Sequence, residues 1–234
     1  MSTMKKVMAG TVACVGMAMA MGAQAYEAGD FIVRAGAVTV DPNDSATTPK
    51  LNGAPLYGVG VEVDSDTQLG LTVAYMITSN IGVELLAATP FQHDITGNLN
   101  STAALGTNDL GNTKQLPPTL TLQYYFNNSS IFTPYVGAGL NYTKFWDEDA
   151  GSSLNTTLGG NVTLDLDNSW GLAAEAGVDV NVGNNWLLNA SLWYIDIDTN
   201  ATYTVRNGAL AGAKVKSDVN IDPWIYMASV GYKF

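Results

Sequence analysis

The sequence predicts an all-β protein: an eight-stranded antiparallel up-and-down transmembrane β-barrel with long extracellular loops and short periplasmic turns. Three observations predict it. Apolar residues alternate with small or polar residues over many short segments. The connections between these segments are alternately long and short. One face of each segment is apolar almost without interruption, in a chain of 234 residues that is 47% apolar and contains 24 glycines.

The first 25 residues have the pattern of a secretory signal peptide. Lys5 and Lys6 precede the apolar run "VMAGTVACVGMAMAMGA", and "AQA" stands before Tyr26. We therefore expect residues 1–25 to be removed and residues 26–234 to form the barrel. The alternative, a lipoprotein processed at Cys14, is disfavoured because the apolar stretch before that residue is short. Cys14 is the only cysteine, so the exported chain is expected to contain no disulfide.

Eight segments carry period-2 alternation, which places successive side chains on opposite faces of a strand. In "WGLAAEAGVDVNV", for example, Trp170 and Leu172 share one face, and Glu175 and Asp179 share the other. The predicted strands are Asp30–Val40, Thr67–Thr78, Asn80–Gln92, Leu116–Phe126, Thr133–Phe145, Ser169–Val182, Asn185–Asp196 and Asp218–Phe234.

The connections between these strands alternate strictly in length. "SN", "NNSSIF" and "GNN" are short, whereas the four connections between them, beginning "DPNDSATT", "HDITGNLN", "WDEDAGSS" and "IDTNATYT", are long. This alternation is typical of outer-membrane barrels, which have short periplasmic turns and long extracellular loops. An even number of strands places both termini on the periplasmic side.

A soluble lipocalin-like barrel is the competing fold, because it also has eight strands. Its outer face would be polar. Here the apolar face is continuous and the other face carries glycine, hydroxyl and charged residues, so the apolar face is expected to meet lipid. Aromatic residues near strand ends, namely Trp186, Trp224, Tyr226 and Tyr232, suit the two membrane interfaces.

The last strand ends on an aromatic residue, Phe234. Such a terminus is the kind of assembly signal that bacterial barrel-assembly machinery accepts. We therefore expect periplasmic chaperones and that machinery as partners during export, and outer-membrane lipid and lipopolysaccharide as the final surroundings.

Several motifs together resemble the OmpW family of eight-stranded outer-membrane proteins of Gram-negative bacteria. They are "EAGDFIVRAGAVTVDP", "TQLGLTVAYMITSNIGVELLAATPFQHDI", "LPPTLTLQYYF", "PYVGAGLNYTKFW", "SWGLAAEAGVDV", "NWLLNASLWYIDIDT" and "DPWIYMASVGYKF". The resemblance covers nearly all of the chain after residue 25. It implies a narrow, porin-like barrel with a largely hydrophobic lumen, associated with uptake of small hydrophobic molecules. The segment between Asp41 and Asp66 departs most from the family.

Bulky apolar residues on the inward face are unexpected in an aqueous channel. Leu86, Trp193 and Met227 are inward residues of this kind. An eight-stranded barrel encloses space for side chains or one small ligand. These three residues are therefore predicted either to contact a ligand at a constriction or to fill the interior.

Charged residues occupy the inward face nearer the periplasmic end and are predicted to form a floor. Unpaired charges are costly in a confined interior, so Arg34 is expected to pair with an acidic residue of this floor. This floor is interpreted either as the closure of a pathway through the lumen or as a purely structural plug. Its predicted members are Arg34, Glu84, Glu175, Asp179 and Lys233.

Three prolines lie high in two neighbouring strands: Pro90 in the third strand, and Pro117 and Pro118 in the fourth. Proline donates no hydrogen bond to a β-ladder. One interpretation is a weakened seam that lets a hydrophobic solute pass sideways into the bilayer. The other is that these prolines mark where the strands leave the membrane.

Other function classes receive little support. The formal net charge of −11 disfavours nucleic acid as a partner. No nucleophile motif accompanies the single histidine, His93, so we expect no enzyme, no cofactor and no metal site. Clustered carboxylates in "WDEDA" and "YIDIDT" are read as solvated loop charge, although a divalent-ion bridge to lipopolysaccharide stays an alternative. The leading function is a channel for hydrophobic solutes, and the alternative is a sealed structural or surface-interaction barrel with functional loops.

Overall fold

A computed structural model describes residues 26–97 and 108–234, so the predicted signal peptide lies outside the described residues. Within these ranges no helix is both long enough and apolar enough to cross a membrane. The described part of the chain contains one helix, α1 (Ser152–Thr157). The strands are β1 (Phe31–Asp41), β2 (Ser45–Ala46), β3 (Lys50–Leu51), β4 (Ala54–Pro55), β5 (Val61–Val63), β6 (Asp66–Met76), β7 (Ile81–Ala88), β8 (Phe91–Gly97), β9 (Asp109–Leu116), β10 (Thr119–Tyr125), β11 (Phe132–Ala150), β12 (Val162–Leu166), β13 (Ser169–Gly183), β14 (Trp186–Ile195), β15 (Asp198–Val205), β16 (Lys214–Asn220) and β17 (Trp224–Lys233).

Eight of these strands close into an antiparallel barrel, which confirms the predicted fold class. The order around the wall is β10, β7, β6, β1, β17, β14, β13 and β11, and the β10–β11 pairing closes the ring. The first and last barrel strands are neighbours, with Ala35 opposite Val230. Closure leaves no free edge in the wall, as a lipid environment requires.

The long connections contain regular structure that the sequence did not predict. Strands β5, β8 and β9 continue the barrel sheet along the upper half of β11. Strands β12, β15, β16, β3 and β4 form a second sheet, with β2 paired to β16. The buried apolar residues of these short strands include Ile95, Leu110, Leu164, Val205 and Val219. These strands form an extension beyond the barrel whose buried core is continuous with the apolar residues of the upper lumen.

Two predicted strands were wrong because each contains a proline break. Asn80–Gln92 is two strands, β7 and β8, separated at Pro90. Asp218–Phe234 is also two, because β16 ends at Asn220 and β17 begins at Trp224 after Pro223. A proline cannot donate a ladder hydrogen bond, so the strand ends and the chain changes its strand partners at that point.

The two faces of the wall differ as predicted. On β13, Trp170 is 74% exposed, whereas Asp179 is 1% exposed. Pairs of aromatic residues in contact mark both ends of the wall. Trp186 and Tyr232 contact each other near one end, and Tyr194 and Trp224 near the other. Along a tilted strand, Trp186 and Tyr194 are separated by about 21 Å of height, close to the apolar thickness of an outer-membrane barrel.

Candidate functional site

The lower part of the lumen is closed by a network centred on Arg34, which is buried on β1. Its Nη1 atom donates to Glu84 Oε2 at 2.5 Å. Its Nε and Nη2 atoms donate to the two carboxylate oxygens of Asp179 at 3.0 and 2.6 Å. Because a guanidinium fork matches a carboxylate in geometry, Arg34 ties β1 to β7 and to β13 across the barrel.

Tyrosines and an asparagine complete this network, and sequence reasoning missed them as floor residues. Tyr26 donates from its hydroxyl to Asp179 Oδ2 at 2.5 Å. Asn189 donates to Asp179 Oδ1 and to the hydroxyl of Tyr135, each at 2.9 Å. The Tyr135 ring also lies under the Arg34 guanidinium, 5.4 Å from Cζ to the ring centroid. The floor is therefore a hydrogen-bonded layer and more than a set of charges.

Tyr125 also belongs to the floor, because its hydroxyl accepts from Arg34 Nη2 at 3.2 Å. The inward phase of their strands was the available signal for Tyr125 and Tyr135. A second signal is Gly177, because a Cβ atom there would lie 2.4 Å from the Tyr135 ring. A glycine opposite an aromatic residue lets the ring lie against the backbone. No sequence pattern places Tyr26 in the floor, since it precedes the first strand.

Two of the predicted floor residues, Glu175 and Lys233, contact partners other than Arg34. Glu175 accepts from Gln123 Nε2 at 2.9 and 3.0 Å and from Thr121 Oγ1 at 3.0 Å. Lys233 pairs with Asp30 at 3.3 Å, close to the periplasmic end. Of the three acidic partners expected for Arg34, the structure joins two, Glu84 and Asp179.

An apolar layer lies directly above the floor. Val38 lies four residues after Arg34 on the same inward face of β1, and it pairs with Met227 in the β-ladder. Leu86, Trp193 and Met227 are all buried here, as their inward phase predicted, and Ile225 and Phe91 belong to the same buried cluster. The lumen is thus charged below and apolar above.

The β7–β10 pairing ends just above this layer. The ladder runs from Ile81 to Leu86 on β7, and its last partner on β10 is Thr119. If the register continued, Ala87 would face Pro118 and Ala88 would face Pro117. We call these four residues the seam. A small cavity behind the seam is lined by Val38, Leu86, Ala87, Ala88, Phe91, Pro117 and Ile225.

This geometry agrees with both interpretations of the prolines, as a weakened seam and as the points where the strands leave the membrane. Pro90 lies between β7 and β8, and the pair Pro117–Pro118 lies between β9 and β10. The prolines therefore mark the junction between the barrel and its extension. They also end the β7–β10 ladder at the height of the apolar layer, whereas the Pro118 carbonyl still accepts from Tyr142 N–H on β11 at 3.1 Å.

A larger apolar cavity, of about 150 Å³, lies in the extension and was not predicted. Residues from β5, β8, β9, α1, β15 and β16 line it, so segments far apart in the sequence must meet to form it. Period-2 reasoning on single strands carries no signal for such a cavity. Its apolar lining includes Leu51, Val61, Ile95, Leu110, Phe145, Leu154 and Val219.

A closed barrel with a lipid-facing apolar surface, aromatic ends and a plugged lower lumen defines a class: the narrow outer-membrane β-barrels. The chain belongs, within that class, to the OmpW family, whose model matches residues 27–234. It is 50% identical to outer membrane protein W of Vibrio cholerae and 47% identical to outer membrane protein W of Escherichia coli. Each alignment covers 90% of this chain and 91% of the relative.

A solved structure gives the same result. The chain matches the crystal structure of the outer membrane protein OprG from Pseudomonas aeruginosa with a TM-score of 0.82 and 47% identity, over 90% of this chain and 98% of that one. The protein is therefore an outer-membrane barrel of the OmpW type. The relatives that it matches are outer-membrane proteins.

Proposed function

We propose that this protein is a narrow channel for uptake of small hydrophobic molecules. A solute enters through the extracellular extension, reaches the apolar layer of the lumen at Leu86, Trp193 and Met227, and leaves sideways through the wall. Uptake of hydrophobic solutes agrees with what the family resemblance implies.

The observation that carries this proposal is the order of the layers. Apolar residues line the interior from the cavity in the extension down to the lumen, where the Arg34 network begins. A hydrophobic solute gains about 25 cal/mol for each Å² of apolar surface that it buries in this upper region. To cross the floor it would have to break paired charges and hydrogen bonds that are shielded from water.

Lateral exit is supported by the seam. Pro117 and Pro118 supply no N–H to the wall. The side chains at the seam are small or cyclic, and the cavity behind them joins the lumen residues Leu86 and Val38. Exit at this height delivers the solute to the apolar interior of the bilayer, where it is more soluble than in water.

Export and assembly follow the predicted scheme in this proposal. The signal peptide directs export, and periplasmic chaperones hold the chain until the barrel-assembly machinery recognises Phe234. In the outer membrane the extension projects beyond the lipopolysaccharide-bearing surface. A hydrophobic solute therefore bypasses the polar headgroup layer that slows its diffusion.

The test is uptake of an apolar fluorescent probe, N-phenyl-1-naphthylamine, by vesicles whose outer leaflet carries lipopolysaccharide. Vesicles with the wild-type protein should take up the probe faster than protein-free vesicles. Trp193→Ala should change that rate, because it alters the apolar layer. Trp170→Ala is the matched control, since Trp170 faces lipid, and it should keep the wild-type rate.

Two results would contradict the channel. One is wild-type uptake no faster than in protein-free vesicles. The other is a Trp193→Ala rate equal to that of the wild type. Either result would favour the sealed structural or surface-interaction barrel, in which the floor and the apolar layer are a packed interior.

A further inference from the structure

The cavity in the extension is apolar, but a few polar side chains reach it. The hydroxyls of Thr199 and Ser217 donate to backbone carbonyl oxygens, to Asp167 at 2.7 Å and to Thr47 at 2.8 Å. Their protons are therefore already used. Thr113 Oγ1 likewise donates to the backbone carbonyl of Lys114 at 3.3 Å. Two further polar side chains of the lining, His93 on β8 and Gln115 on β9, contact each other in the cavity wall.

The hydrogen bonds of His93 fix the orientation of Gln115. His93 Nδ1 lies 2.6 Å from the carbonyl oxygen of Asp64, which can only accept, so Nδ1 carries a proton. Burial lowers the pKa of the His93 imidazole, so the ring is neutral at neutral pH. Nε2 is then an acceptor, and the Gln115 amide nitrogen must donate to it across 2.8 Å.

This orientation leaves the amide oxygen of Gln115 without a partner. Gln115 is 1% exposed, and Oε1 has no hydrogen-bond partner among the described residues. A buried acceptor without a donor destabilises a protein by about 1–3 kcal/mol. The arrangement therefore leaves one buried acceptor unpaired in a residue that lines an apolar cavity, and a second residue fixes the direction of its amide group.

We infer that this cavity binds a small apolar molecule that carries one hydroxyl group, with that hydroxyl donating to Gln115 Oε1. This rests on the proposed function and names the substrate class at the entrance. An apolar cavity of about 150 Å³ accommodates a single benzene-sized ring. The class that fits both the volume and the acceptor is a monocyclic phenol.

The experiment compares phenol with toluene, which has a methyl group in place of the hydroxyl. Binding to the full mature protein in phospholipid nanodiscs is followed through the ¹³C-labelled methyl groups of Ile95, which lines the cavity. Gln115→Met removes the acceptor at similar volume and should weaken phenol binding about fivefold relative to toluene. Ser217→Ala removes a hydroxyl that is already paired, and it should leave the ratio of the two affinities unchanged.

A measurement on the wild type needs no variant. Phenol should shift the side-chain amide resonances of Gln115, and toluene should leave them in place. The inference is overturned if phenol leaves those resonances unmoved, if neither compound binds, or if Gln115→Met keeps the wild-type ratio. Uptake of N-phenyl-1-naphthylamine in vesicles tests the channel separately. Normal uptake of that probe by a protein that does not prefer phenol to toluene would refute the phenol site and leave the channel supported.

Discussion

Arg34 is the residue on which the closed floor depends. It is the one cation that contacts both Glu84 and Asp179 within the described residues, and all three side chains are almost completely buried. In such a network the charges stabilise one another only as a set, because each has given up its hydration. Tyr26 and Asn189 add hydrogen bonds to the same Asp179 carboxylate and hold it in place.

Replacing Arg34 with Gln should lower the free energy of unfolding by about 3–5 kcal/mol, because two buried carboxylates lose their cation. Lys233→Gln is the matched control, since the ion pair of Lys233 with Asp30 is longer and more exposed. This variant should lower the free energy of unfolding by less. Reversible urea unfolding in phospholipid vesicles measures both. Equal losses for the two variants would show that the floor does not depend on the Arg34 network.

The His93–Gln115 pair predicts a pH dependence for phenol binding. Burial is the largest cause that lowers the pKa of His93, while Asp64, Asp66 and Asp94 act in the opposite direction. As the pH falls through this lowered pKa, the ring gains a proton on Nε2. Gln115 must then turn its oxygen towards the ring, and the acceptor in the cavity is lost.

Phenol affinity relative to toluene should therefore be full above pH 6.5, the ordinary value for histidine, and should fall below it. Phenol itself stays neutral over this range. Binding measured from pH 8 down to the lowest pH at which the barrel stays folded tests the prediction, with Gln115→Met as a control that should show no such change. A wild-type ratio that is constant with pH would contradict the assigned orientation of the amide.

At the scale of strands, the wall was predictable because each barrel strand meets lipid on one side and a packed interior on the other. Because of that contrast, apolar residues alternate with small or polar residues along the sequence, as on β13 and β17. The predicted strand bounds were wrong at Pro90 and Pro223, at Leu116, which belongs to β9, and at Phe145, because β11 continues to Ala150. The strands of the extension were missed because they are short and rich in polar residues, as in "NTKQL" on β9.

The candidate site was predictable to a similar extent. Alternation alone placed Leu86, Trp193 and Arg34 inside. It did not reveal the partner choice of Glu175, the role of Tyr26 or the cavity in the extension. Those features arise where segments distant in sequence meet, and a pattern within one strand contains no information about such contacts.

The lipid-facing side of β10 gives a prediction for the wall. Leu122 is 57% exposed and lies four residues before Phe126, about 10 Å above it and near mid-membrane. Leu122→Arg should therefore destabilise the inserted barrel by roughly 2–4 kcal/mol. Leu210, which is 42% exposed beyond the barrel between β15 and β16, is the matched control.

The free energy of unfolding of both variants, measured by reversible unfolding in vesicles, tests this prediction. Leu210→Arg should stay close to the wild type, because that residue meets water. Similar penalties at the two positions would mean that the apolar face of β10 does not lie in lipid.

The whole molecule is predicted to be oriented with the extension outside the cell and both termini in the periplasm. Residues 26–234 contain no cysteine, so single cysteines report accessibility cleanly. Tyr57→Cys, at a site 79% exposed in the extension, should react with a membrane-impermeant maleimide on intact cells. Ser129→Cys, in the turn between β10 and β11, should react only after the cells are lysed. The reverse pattern would invert the topology.

The layers form a single path only if the wall opens at the seam, and replacing its prolines tests this most directly. Pro117→Thr combined with Pro118→Val restores one N–H donor on the side of β7, opposite Ala88, and one on the side of β11, where the Pro118 carbonyl accepts from Tyr142 N–H. Pro134→Val, at the periplasmic end of β11, controls for the loss of proline alone. Heat-modifiable migration in gels verifies that each barrel is folded before probe uptake is measured in lipopolysaccharide-bearing vesicles. The account predicts slower uptake of N-phenyl-1-naphthylamine by the seam variant and wild-type uptake by the control, whereas unchanged uptake by a folded seam variant would contradict lateral exit.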